Sequence, residues 1–287
     1  MHWGRLRFIA LVLLLGVPLV VNYLLTTSPG MFSDIGLPAD RAAGILQVER
    51  LDIDGDGRNE IVRLLTEPGE PLFLRNLRLE VLDPGGNITI PITGTDYSTA
   101  SLNIIQMNGE PEKEIFVTLI KGSGVQDLYG FRVKDGQEQT FFSPRRYLRS
   151  EAFDLRYLGG KQVRFTDLTT GLTTTIDLSA TNPNYADFTE AELERLYNIQ
   201  KAWVVGPYSG FSWADLTGDG VKEIIGSRRV SGITPGDIIG TLQEYYRQEA
   251  ETYKPYAQAF FTLGGQEIAG RILVQSQLEL EEAGEKP

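Results

Sequence analysis

The chain has no cysteine and a single histidine. The first absence excludes disulfides, thiolate nucleophiles, zinc–thiolate sites and lipid attachment through an N-terminal cysteine. The one histidine, His2, precedes an apolar run at the N-terminus, so the folded part has no imidazole. A Ser-His-Asp triad, a His-ligated zinc and a histidine general base are therefore excluded. Any enzyme reading falls back on carboxylates, Lys, Tyr or Ser. Basic residues are also in deficit: 27 Lys and Arg stand against 38 Asp and Glu, a formal charge of −11. No basic stripe is present, so no nucleic-acid partner is expected. The acidity fits an exported soluble domain, a cation binder, or simple colloidal solubility.

One long hydrophobic run exists, residues 8–25 (FIALVLLLGVPLVVNYLL), behind Arg5 and Arg7. It is about the shortest run that spans a bilayer as a helix, and the charge ahead of it favours insertion with the N-terminus inside. Residues 1–27 read as a signal anchor or a cleaved signal peptide. The run is long for a signal core and no Ala-x-Ala site follows, which favours the anchor. The expected location is the cell membrane, single-pass, with the domain extracytoplasmic, or secretion if the segment is cleaved. Residues 28–43, rich in Pro, Gly and Ser, read as a linker. Residues 44–279 form the expected β-repeat domain, and 280–287 an acidic, flexible tail.

Two loops in that domain say nearly the same thing: residues 52–61 (DIDGDGRNEI) and 215–224 (DLTGDGVKEI). Asp52, Asp54, Asp56 and Glu60 hold positions 1, 3, 5 and 9 of the first. Asp215, Thr217, Asp219 and Glu223 hold the same positions of the second. Gly57 and Gly220 stand at position 6, where a loop wrapping a hard cation turns sharply, and Arg58 and Val221 at position 7 offer a backbone carbonyl. Two structural Ca2+ sites are expected, the second weaker because Thr217 replaces a carboxylate. Asp, Asn and Gly also make plain turns without metal. An EF-hand is disfavoured: its bidentate Glu at position 12 is absent, with Arg63 and Gly226 there, and strand-like sequence follows.

The rest of the domain reads as strands and hairpins. Shifting the first loop by 54 residues brings residues 106–115 (QMNGEPEKEI) into register. Gln106 replaces the first acid and Pro111 replaces the glycine, and proline does not adopt positive φ. This middle loop is expected to keep its turn and bind no metal. Fixed-period self-similarity of this size indicates an array of small sheets. The register assigns residues 240–251 (GTLQEYYRQEAE), helical by propensity, to a hairpin. A further unit is expected over 153–179 with its loop reduced to 158–161, and a last partial unit opening at 262–265. One helix is expected over 189–201, capped by Thr189.

DxDGDGxxEI followed by a strand and a hairpin resembles the FG-GAP or VCBS-type repeat, related to the integrin α-subunit propeller. The resemblance is strong over residues 51–62 and 210–226. It implies an all-β, propeller-like assembly with Ca2+ held between strands; such propellers commonly have seven blades, whereas about four to five small blades can be counted here, so a smaller propeller or an irregular β assembly is expected. A binding scaffold is expected, presenting loops of a rigid framework to a protein or a cell-envelope component. The alternatives are a carboxylate-based hydrolase, with Glu112 and Glu114 or Asp237 and Glu244 as candidate pairs, or a structural subunit of an envelope complex. No catalytic residue is assigned. Residues 121–124 (KGSG) lack the phosphate-loop order and read as an inter-strand loop. Trp203, Tyr208, Phe211 and Trp213, and the tyrosines at 245, 246, 253 and 256, read as packing residues or as an aromatic ligand platform.

Overall fold

The computed structural model describes residues 44–67, 73–83, 85–94, 96–134, 136–143, 153–181, 183–199 and 204–273. The expected signal segment, linker and acidic tail, together with Lys201 and Trp203, lie outside them. No helix among the described residues is long and apolar enough to cross a membrane.

The described chain is all-β apart from two short helices, and its strands form four antiparallel sheets, none closed into a barrel. Sheet A is β1 (Ile45–Leu51), β2 (Glu60–Leu65), β3 (Arg78–Asp83) and β4 (Gly86–Pro91). Sheet B is β5 (Tyr97–Ile105), β6 (Glu114–Lys121), β7 (Gln126–Lys134) and β8 (Gln137–Phe142). Sheet C is β9 (Phe153–Gly159), β10 (Gln162–Asp167) and β11 (Thr173–Asp177). Helix α1 (Leu178–Thr181), a 3-10 turn (Pro183–Asp187) and α2 (Glu190–Ile199) follow. Sheet D is β12 (Val205–Ala214), β13 (Glu223–Ser231), β14 (Ile238–Glu249), β15 (Thr252–Phe261) and β16 (Glu267–Ile272). Each sheet is a meander of sequence neighbours.

The same strand pairing recurs at the three loops. The residue before each loop pairs with the glutamate that ends it: Leu51 with Glu60, Ile105 with Glu114, Ala214 with Glu223. Residues 240–251 are strand and turn as the register requires, and Lys121–Gly124 is the β6–β7 turn. One expectation is corrected. Residues 262–265 open no new unit; they form the tight β15–β16 turn, closed by Gln266 O accepting from Thr262 N at 2.9 Å, and add a fifth strand to sheet D.

Three cores join the sheets. Val62, Leu64 and Val81 of A meet Ile115, Val117 and Phe131 of B. Phe116, Leu128 and Phe142 of B meet Ile224, Tyr246 and Tyr253 of D. Val163 and Phe165 of C, with Leu193 and Tyr197 of α2, meet Leu242 and Phe260 of D. Packing order is thus A, B, D, C rather than chain order. Strand β6 is apolar without alternation (IFVTLI) because both of its faces are covered, by A and by D.

Helix α2 starts as expected. Thr189 Oγ1 accepts the Glu192 amide at 3.3 Å, while the Glu192 carboxylate accepts the Thr189 amide at 2.9 Å, a reciprocal cap. Thr189→Ala is expected to lower the melting temperature by about 2–4 °C, the usual size of a lost cap in a domain this large. Thr189→Asn should preserve it.

A polar layer crosses the buried face of sheet D. Glu244, 1% exposed, accepts from Tyr246 Oη at 3.2 Å, from Gln258 Nε2 at 3.1 Å and from Tyr208 Oη. Gln258 Oε1 accepts the Thr170 hydroxyl of the β10–β11 turn at 2.8 Å, so the layer ties C to D. Tyr208 reaches Glu244 by lying over Gly226, where a Cβ would sit 2.6 Å from its ring. Gly226→Ala is expected to cost about 1–3 kcal/mol by overpacking, measured by urea unfolding.

Candidate metal centre

The loop between β1 and β2 is built around Asp52. Its Oδ1 accepts the Gly55 amide at 2.7 Å and its Oδ2 the Gly57 amide at 3.0 Å. Gly55 and Gly57 take φ of +81° and +87°, which turns their amides inward at no steric cost. Asp54 Oδ1 accepts from Asp56 N at 3.1 Å. Glu60, at the head of β2, is buried and its Oε2 accepts from Ile53 N at 2.7 Å.

The result brings one carboxylate oxygen each from Asp52, Asp54 and Glu60 within 4.8 Å of one another. Calcium ligands lie 2.3–2.6 Å from the ion, so two oxygens on one ion are at most about 5.2 Å apart, and this trio fits that limit. Burial raises the Glu60 pKa, and the neighbouring Asp54, Asp52 and Asp56 push it the same way, against the Ile53 amide. A cation placed among the three would reverse that repulsion. Asp56 stands apart: its Oδ1 caps the Arg58 amide at 2.7 Å and its Oδ2 is 4.0 Å from the exposed Arg58 guanidinium.

The loop between β12 and β13 repeats the frame. Asp215 accepts the Gly218 amide at 2.6 Å and the Gly220 amide at 2.9 Å, and Glu223 Oε2 accepts from Leu216 N at 2.7 Å. Asp219 Oδ1 caps the Val221 amide at 2.9 Å, and Thr217 Oγ1 is 3.4 Å from Glu223 Oε1. Glu223 is raised by burial, then by Asp219 and Asp215, against its backbone hydrogen bonds. Among the described residues three carboxylates converge only in the Asp52 loop. The Asp215 loop has the scaffold with a sparser ligand set.

The middle loop shares the frame and not the ligands. Glu114 Oε2 accepts from Met107 N at 3.2 Å, but the side chain at position 1 now donates, from Gln106 Nε2 to the Glu110 carbonyl at 2.5 Å. Pro111 packs on the first loop, its Cβ and Cγ 3.0 Å from where a Gly55 side chain would begin.

Three contacts were not visible in the residue pattern. Lys113 Nζ donates to the Asp52 carbonyl, and position 8 of one loop donates its amide to the position-2 carbonyl of the loop before it. Lys113 N meets Ile53 O at 2.8 Å and Lys222 N meets Met107 O at 2.6 Å. The matching lysines at position 8 were the available signal. Of the carboxylates weighed as catalytic pairs, Glu114 and Glu244 face the interior, and Asp237 accepts from Ile233 N at 3.0 Å and from the Tyr185 hydroxyl. Tyr208, Tyr245, Tyr246 and Tyr253 are buried, and Phe211 and Trp213 pack against the core shared by B and D.

Residues 151–261 match the family model of the YybI C-terminal domain. The stretch takes in sheet C, both helices and β12 to β15, with the Asp215 loop, and leaves the Asp52 loop outside. The sequence matches no curated protein.

Proposed function

We propose that this chain is an exported, membrane-tethered β-repeat domain of the FG-GAP or VCBS type, stabilised by calcium and used as a binding scaffold. Its four meanders act as propeller-like blades. The observation that carries the reading is one loop geometry used three times, with the carboxylate trio of Asp52, Asp54 and Glu60 at its first occurrence. The Asp52 loop is the stronger Ca2+ site. Arg58 and Val221 contribute backbone carbonyls, and the Asp215 loop binds more weakly.

A scaffold role fits where the reactive groups lie. Glu114 and Glu244 are buried and hydrogen-bonded within the sheets. What the rigid meanders offer solvent is their loops, which is where binding surfaces are commonly built. The partner is a protein or a component of the cell envelope, met while residues 1–27 hold the chain at the membrane. Affinity capture from solubilised envelope, in calcium and in chelator, tests this. A partner retained in calcium and released by chelator supports it. Polysaccharide or ester hydrolysis by the purified protein, abolished by substituting one exposed carboxylate, would overturn it.

A further inference from the structure

Position 9 of every loop buries a glutamate: Glu60, Glu114 and Glu223 are each 2% exposed. A carboxylate withdrawn from water is accommodated by hydrogen-bond donors, by protonation or by an opposite charge nearby. The residue facing position 9 from the third strand differs between repeats. Ile61 pairs with Leu82, Ile115 with Phe131 and Ile224 with Tyr246. One step along each ladder, the facing residues are Asp83, Arg132 and Arg247. Arg247 is turned to Glu249, at 3.1 Å, and over the Tyr256 ring, 5.4 Å from its centroid. Arg132 is turned to Glu114: its Nη2 lies 2.8 Å from Glu114 Oε1, with both side chains largely buried.

We propose that Arg132 is the resident cation of the second repeat. Its guanidinium supplies at Glu114 the positive charge that a loop with Gln106 and Pro111 does not gather from solution. The same group also joins two sheets. Its Nη1 is 3.6 Å from Glu251 Oε2 in the β14–β15 turn, and it stacks 5.4 Å from the Phe141 ring centroid. The buried glutamate at the joint between B and D is therefore paired with a positive charge without metal. This inference stands on the Glu114–Arg132–Glu251 geometry and does not depend on calcium binding at Asp52.

A double-mutant cycle tests it, with Glu114→Gln and Arg132→Met melted in chelator and again in calcium. Each single variant is expected to melt about 6–15 °C lower, because it strands the other charge inside the protein. The double variant should lose clearly less than the sum, by the same margin in both buffers. Additive losses would overturn the proposal and leave Arg132 as a packing residue on Phe141. So would a coupling seen only in calcium. Should Arg132→Met fail to fold, Arg132→Gln, which also removes the charge, takes its place in the cycle, with Arg132→Lys as the charge-keeping comparison. Where both fold, equal losses for Lys and Met would also count against a role for charge.

Discussion

Chelation is expected to lower the melting temperature of this protein, and returning calcium to restore it. Three carboxylates held within 4.8 Å repel one another when no cation is present. An ion that binds only the folded loop stabilises it by about 2.7 kcal/mol at a hundredfold excess over its Kd, or about 5–10 °C for a domain of this size. Asp54→Asn is the cleanest probe. It removes one charge of the trio yet keeps an oxygen for the Asp56 amide, which Asp54 accepts at 3.1 Å. Asp52 is a poorer choice, because both of its oxygens are used by loop amides. Asp54→Asn should abolish most of the calcium-dependent shift while leaving the chelated protein nearly as stable as its parent. Asp219→Asn should remove only the smaller remainder contributed by the second loop. A melting temperature indifferent to calcium and chelator would sink the metal reading.

Phe116→Ala is expected to cost about 3–5 kcal/mol, the usual range for truncating a fully buried aromatic ring. Phe116 has no exposed surface and sits where sheets B and D meet. Its ring centroid is 5.6 Å from Phe141 in an edge-on pair and 5.1 Å from Trp213 on β12. The opening cannot close by a simple side-chain shift, since its walls belong to two sheets, each held rigid by its own strand ladders. Denaturant unfolding measures the loss, and a red-shifted Trp213 fluorescence before the main transition would place it at the B–D joint. A loss below about 1 kcal/mol would show that the joint repacks freely.

Much of this architecture was legible in the residues because the loop and the strand after it are local signals. Glu60, Glu114 and Glu223 mark the same pairing position, and that register overruled the helical propensity of residues 240–251. Strand β14 is held by ladders on both sides, which propensity alone does not weigh. The order in which sheets pack was not legible. Nothing local to β6 says that A covers one of its faces and D the other, and the repeat order would have set C beside B. The candidate site was read in part. Position counting gave equal standing to Asp52, Asp54 and Asp56, yet Asp56 is drawn to the Arg58 amide and stays outside the trio. The pairing of Arg132 with Glu114 joins residues 18 apart through a strand ladder, a contact that composition does not reveal.

The amide-to-carbonyl steps from Lys113 to Ile53 and from Lys222 to Met107 use main-chain atoms alone. These main-chain steps do not depend on which side chains the loops carry, apart from proline. A loop can lack the acids, as the Gln106 loop does, and its neighbour still docks. Loops with and without a carboxylate cluster can therefore stand side by side in one chain at little structural cost. The substitution such a seam forbids is proline at the eighth position, which would delete its main-chain donor.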